Sequence, residues 1–128
     1  MQYRRKHGSD GLRLQETQQI AQLCHEHNAL FIVNDRIDLA LLVNADGVHL
    51  GQEDLPYREA RRLLGSAKLI GRSTHKLAQL HEAQEQGADY VGVGPVFATA
   101  TKADRQPAGL SWVKEACAAA RIPWFAIG

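Results

Sequence analysis

Short apolar runs alternate with amphipathic stretches along the whole chain, and that alternation restricts the fold more than any other feature. Residues 30–33 (Leu-Phe-Ile-Val), 46–50, 68–71, 90–93 and 123–127 are brief apolar runs bounded by polar residues or glycine, and they read as strands. Residues 1–5 read as the end of an earlier strand. A first helix is expected to bury Leu14, Ile20, Leu23 and Cys24, and a short one to span 38–43. Asp54 stands where it would cap a helix that has Pro56 in its first turn, Ala60, Leu63 and Leu64 on its apolar side and a stop at Gly65. Leu77 to Gln86 is a further helix closed by Gly87, and Leu110, Val113, Cys117 and Ala120 predict the buried face of the last one. Some six strands thus recur at intervals of roughly 20 to 30 residues.

Strands separated by helices pair in parallel through helical crossovers. Two architectures meet that condition, an open doubly wound sheet and a (β/α)8 barrel. Gly92 and Gly94 make a G-x-G, but the third glycine of a dinucleotide fingerprint does not follow. Polar residues at 34–35, 52–54, 73–74 and 99–102 each fall just after a different strand. A barrel gathers such loops at one mouth, whereas an open sheet spreads them along an edge. The expected fold is therefore an α/β TIM (β/α)8 barrel forming one domain over residues 1–128. It is expected to be incomplete, about six units with the first and last strands missing, because eight units typically need about 200 residues.

The totals exclude several function classes. Hydrophobic residues make up 45% and charged residues 23% of 128, a balance that supports a packed core. A formal net charge of +1 lacks the basic excess of a nucleic-acid binder. No apolar run approaches the roughly 18 residues of a membrane span, and Met-Gln-Tyr-Arg-Arg-Lys is no signal peptide. Cys24 and Cys117 read as buried thiols in a reducing compartment, so a cytoplasmic protein is expected, with no nucleic-acid or membrane partner.

Several groups of residues could carry chemistry. Gln2, Arg4 and Lys6 alternate along a strand and so share a face, where two cations and an amide suit a polyanion. The same spacing also describes a solvated chain start. Asp35 and Asp54 follow strand ends, where magnesium could take one or two carboxylates together with phosphate oxygens and water; a turn residue and a helix cap would look alike. The loop from Gly94 to Gly109 holds Thr99, Thr101 and Lys102, two hydroxyls and an ammonium that would cradle a phosphate, or simply lie on a surface loop. Ser73-Thr74-His75 could donate to an anion or cap a helix. The six histidines show no metal-ligand spacing, and no nucleophile or acid–base group can be assigned.

Together these segments resemble one family. Q-Y-R-R-K, F-I-V-N-D-R, A-D-G-V-H-L-G-Q-E-D-L-P, I-G-R-S-T-H, G-A-D-Y-V-G-V-G-P-V-F-A-T-A-T-K and W-F-A-I-G stand in the order and spacing of thiamine-phosphate synthases, across essentially the whole chain. The resemblance implies a TIM barrel that joins an aminopyrimidine carried on a diphosphate to a thiazole phosphate, releasing diphosphate. It implies that Gln2, Arg4 and Lys6, with Asn34 and Ser73, hold the pyrimidine diphosphate. Asp35 and Asp54 then bind Mg2+, Thr99 and Thr101 contact the thiazole phosphate, and Lys102 contacts the diphosphate. Arg5 stands where the family's R-E-K has an acidic residue. A thiazole tautomerase shares the barrel and the N-D-R and S-x-H motifs, but residues 52–54 and 99–102 speak against it. A third reading is an inactive truncated barrel, whose open strand edges leave pairing with a second copy of the chain open.

Overall fold

Residues 1–98 and 109–128 are described by a computed structural model in which strands and helices alternate as the apolar patterning requires. The chain divides into two units, Met1–Leu50 with Asp54–Ile70, and Gly51–Glu53 with Gly71–Gly128.

The first unit runs β1 (Gln2–Tyr3), α1 (Asp10–Glu26), β2 (Ile32–Asn34), α2 (Ile37–Leu42), β3 (Gly47–Leu50) and α3 (Tyr57–Leu64), and ends in the first residues of β4 (Leu69–Thr74). β1 pairs with β2 and β2 with β3, all parallel, with Tyr3 opposite Val33 and Val33 opposite Val48. Every residue of β3 is buried, as expected of a parallel strand covered on both faces. Phe31, Val33, Val48, Leu50, Ala60 and Ile70 form the heart of this unit. Gly47 is required by close packing, because a Cβ there would collide with the backbone carbonyl and side chain of Leu69.

The three helices of this unit end by a similar device. The chain turns into the left-handed region after α1 at Asn28 (φ 51°) and after α2 at Asn44 (φ 51°). Gly65 closes α3 at a positive φ as well (71°). Asparagine and glycine tolerate that conformation best, which is why these residue types stop the helices.

Two expectations about α3 fail. Pro56, not Asp54, precedes its first turn, and no side chain caps it. Proline carries no N–H and has its φ fixed, so the helix starts just after it and leaves Asp54 in a bend. Leu63 is exposed, and the buried positions are Tyr57, Ala60 and Leu64.

The second unit holds the rest of β4, then α4 (Leu77–Gln86), β5 (Tyr90–Val93), α5 (Gly109–Ala119) and β6 (Trp124–Ala126). β4, β5 and β6 pair in parallel, with Thr74 opposite Val93 and Gly92 opposite Phe125. α4 ends at Gly87 (φ 86°), as its sequence predicts. β4 is longer than expected and runs on through Thr74, whose hydroxyl donates to the Gly92 carbonyl (3.1 Å). Ser73 and Thr74 are therefore buried strand residues and not a loop beyond the strand. In α5 the inward positions are Trp112 and Ala116, while Leu110 and Cys117 face outward. The large indole takes the inward direction that leucine and cysteine were expected to hold.

Candidate functional site

β1 is only two residues long, and the chain leaves it through three consecutive cations, Arg4, Arg5 and Lys6. β2 ends at Asn34, and Asp35 then takes a left-handed conformation (φ 63°), one that aspartate tolerates better than most residues. The Asp35 amide donates to the His49 carbonyl (2.9 Å), which ties this turn to β3 while the residue stays exposed. The two strand exits meet around a cavity of about 270 Å³. Four of the residues singled out in the sequence line it: Arg4, Lys6, Asn34 and Asp35. The cavity also has three arginines whose roles went unassigned, Arg5, Arg13 and Arg36.

Most of this charge is held in place by carboxylates. Arg5 pairs with Glu16, which also accepts from the Tyr3 hydroxyl (2.8 Å). Burial, and then that contact with Glu16, push the Tyr3 phenol up. Arg13 donates to Asp10 Oδ1 (2.7 Å) and to the Lys6 carbonyl (3.0 Å). Arg36 donates to the same Asp10 oxygen (2.8 Å) and to Asp38 (2.5 Å). Hydrogen bonds from Arg36, and secondly from Arg13, hold the Asp10 carboxyl below its ordinary range. The Arg36 bond does the same for Asp38 and raises the guanidinium in return. The Arg4 side chain makes no hydrogen bond or ion pair among the described residues. Five cations around so small a space, most of them fixed by partners, suit a compact polyanion such as a phosphate or diphosphate.

The other expected residues are distributed more widely. Gln2 is exposed on β1 and does not line the cavity. Asp54 is half-buried in the bend beyond β3, also in the first unit. In the second unit Ser73 is buried in β4, and its carbonyl accepts from Gln52 Nε2 (2.6 Å), beside an Arg72 bond to the Gly51 carbonyl (3.0 Å). His75 packs its Nδ1 against the Gly94 carbonyl. Thr99, Thr101 and Lys102 lie outside the described residues.

Asp35 and Asp54 offer hard oxygen donors beyond two adjacent strands, and among the described residues no cluster of three His, Cys, Asp or Glu forms a self-sufficient metal cage. That donor set fits a magnesium ion whose remaining ligands are phosphate oxygens and water.

A larger cavity, about 600 Å³, lies at the opposite ends of the same strands, where α1 ends and the segments before β2, β3 and β4 begin. Its lining mixes apolar residues with polar ones, several of them engaged locally. Asp46 accepts from the Phe31 amide (2.7 Å), and Lys68 Nζ donates to Asn44 Oδ1 (2.6 Å).

Asp10 and Arg13 were legible as an i,i+3 pair at the start of a helix, and Arg36 directly follows the Asn34-Asp35 pair. Nothing in the spacing reveals that one carboxylate holds both guanidiniums, since Asp10 and Arg36 are far apart in the chain.

A sequence profile described as thiamine monophosphate synthase matches residues 1–128. The chain is 96% identical over its whole length to the thiamine-phosphate synthase of Synechococcus sp. (strain WH7803) and 56% identical to that of Synechocystis sp. (strain ATCC 27184 / PCC 6803 / Kazusa). It spans 36% and 37% of those two proteins. Among solved structures, the thiamine phosphate pyrophosphorylase of Pyrococcus furiosus superimposes on 99% of this chain with a TM-score of 0.90 at 38% identity, the match covering 60% of that protein. This agreement, with the sequential parallel strands of each unit, gives the chain the fold of an incomplete TIM barrel.

Proposed function

Because this chain belongs to the thiamine monophosphate synthase family, we propose that the protein it represents is a thiamine-phosphate synthase, a transferase acting on hydroxymethylpyrimidine diphosphate and thiazole phosphate. The observation that carries this reading is the cation-lined cavity beyond β1 and β2, where Arg4, Lys6, Asn34 and Asp35 come together. In the reaction the carbon–oxygen bond to diphosphate breaks, and its electron pair leaves with the diphosphate. The thiazole nitrogen then donates its lone pair to the pyrimidine-stabilised methylene cation. Little proton transfer is required, which agrees with a site that offers fixed charge and no evident nucleophile.

Arg4 and Lys6 neutralise the departing diphosphate, Asn34 donates to it, and Gln2, outside the cavity on β1, also helps hold the pyrimidine diphosphate. Ser73 lies beside the pyrimidine diphosphate, Thr99 and Thr101 bind the thiazole phosphate, and Lys102 binds the diphosphate. Asp35 and Asp54 would hold Mg2+, which when bound stabilises the negative charge gathering on the leaving group. Residues 1–128 form part of one synthase domain working in the cytoplasm on small molecules. No helix among the described residues is long and apolar enough to cross a membrane.

The test is thiamine phosphate formation by the full-length protein in the presence of magnesium. Asp35→Ala and Lys102→Ala should each lower turnover by about 100-fold or more. Near-normal rates in both variants would refute these roles.

A further inference from the structure

The cavity beyond β1 and β2 is bounded by two short segments that belong to different strand exits. One carries Arg4 and Lys6, the other Asn34 and Asp35. A phosphate-binding site of this kind works only if both segments hold their donors at fixed separation, because a displacement of about 1 Å can cost as much as 100-fold.

One side chain spans the gap. Asp10, at the first turn of α1, accepts from Arg13 and Arg36 through the same oxygen. Arg13 continues to the Lys6 carbonyl (3.0 Å) and so reaches the segment after β1. Arg36 directly follows Asp35 and continues to Asp38 at the start of α2. Two guanidiniums sharing one carboxylate oxygen lie within a few ångströms of each other, and without the carboxylate they would repel. Asp10 is therefore the joint between both halves of the cavity wall, although it does not line the cavity itself.

We infer that Asp10 is a positioning residue for diphosphate binding: through Arg13 and Arg36 it sets the spacing between the Arg4–Lys6 segment and the Asn34–Asp35 segment. The inference rests on the function proposed above. It separates from a purely structural role by magnitude. Arg13 and Arg36 are more sheltered (17% and 35% exposed), but the Asp10 side chain is 70% exposed, so water screens these ion pairs and they add little to stability. Loss of Asp10 should therefore leave the fold nearly as stable while loosening the site.

The experiment uses the full-length protein and two readouts, steady-state kinetics with the pyrimidine diphosphate and calorimetric binding of inorganic pyrophosphate with magnesium. In Asp10→Asn the Kd for pyrophosphate should rise about tenfold and kcat/KM for the pyrimidine diphosphate should fall by about as much, with Tm nearly unchanged. Asp10→Glu should recover part of the affinity. Adding Arg13→Gln to Asp10→Asn should cost less than the same change costs in the wild type, since the linkage is already broken. Unchanged affinity in Asp10→Asn, or full additivity with Arg13→Gln, would overturn the inference and leave the proposed function standing. A Tm loss large enough to account for the weaker binding would also overturn it, in favour of a structural role. If the wild-type protein neither binds pyrophosphate nor forms thiamine phosphate, the functional reading fails first and the inference falls with it.

Discussion

The first unit presents two cavities at opposite ends of the same parallel strands, and the larger has the weaker claim to chemistry. The 600 Å³ cavity is bordered by segments entering the strands, and its notable polar groups, Asp46 and Lys68, are taken up by local hydrogen bonds. The 270 Å³ cavity is bordered by segments leaving the strands and gathers five cations with one carboxylate. Parallel α/β folds place their ligands beyond the carboxyl ends of the strands, because those loops vary without disturbing the packing below. Volume records where side chains fail to meet. Concentrated, positioned charge records where something else is meant to sit.

Substitutions at the two ends should part company. In the full-length enzyme Arg4→Ala should lower kcat/KM by about 100-fold, whereas Lys68→Ala at the other end should stay within about twofold; comparable losses would dissolve the contrast. Gly47→Ala tests whether the strand entrances are packed too closely to serve a ligand. The new methyl group meets Leu69, and a loss of about 2–3 kcal/mol in denaturant unfolding is expected. Asp46→Ala leaves the Phe31 amide without its partner and should cost about 1–2 kcal/mol in the same measurement, with kcat preserved.

The smallest effect concerns acid. Asp10 and Asp38 are both held below their unfolded value of 3.8 by Arg36, joined at Asp10 by Arg13. A depressed carboxylate adds stability above its unfolded value and loses it as pH falls through the folded one, so the clamp should weaken only below about pH 4. Melting temperature followed from about pH 6 down to about pH 2 should fall less steeply in Asp38→Asn than in wild type. Identical curves would show that the clamp carries no linked stability.

Much of this was readable from residue patterns, and the limits have physical causes. The strand–helix order and the end of α4 at Gly87 follow from local chemistry, because apolar runs and a left-handed glycine act within a few residues. Arg4, Asn34 and Asp35 could be placed at strand exits because each directly follows or ends a strand, whereas the alternation that joined Arg4 and Lys6 to Gln2 on one strand face stops at Tyr3, where β1 ends. The buried face of α5 was not, since helical spacing permits more than one apolar stripe and the bulk of Trp112 decides between them. Ser73 could not be told from a loop residue, because β4 continues through polar Arg72, Ser73 and Thr74, which are satisfied by hydrogen bonds rather than by apolar contacts. The Asp10–Arg36 bond depends on tertiary approach and leaves no periodic trace.

Each unit also carries one thiol, Cys24 buried in α1 and Cys117 exposed on α5. An alkylating reagent should therefore modify Cys117 promptly and Cys24, which is 6% exposed and borders the larger cavity, more slowly. The time course of the second modification becomes a built-in report on access to the larger cavity, at the end of the first unit opposite the cation-lined one, with no label to be engineered.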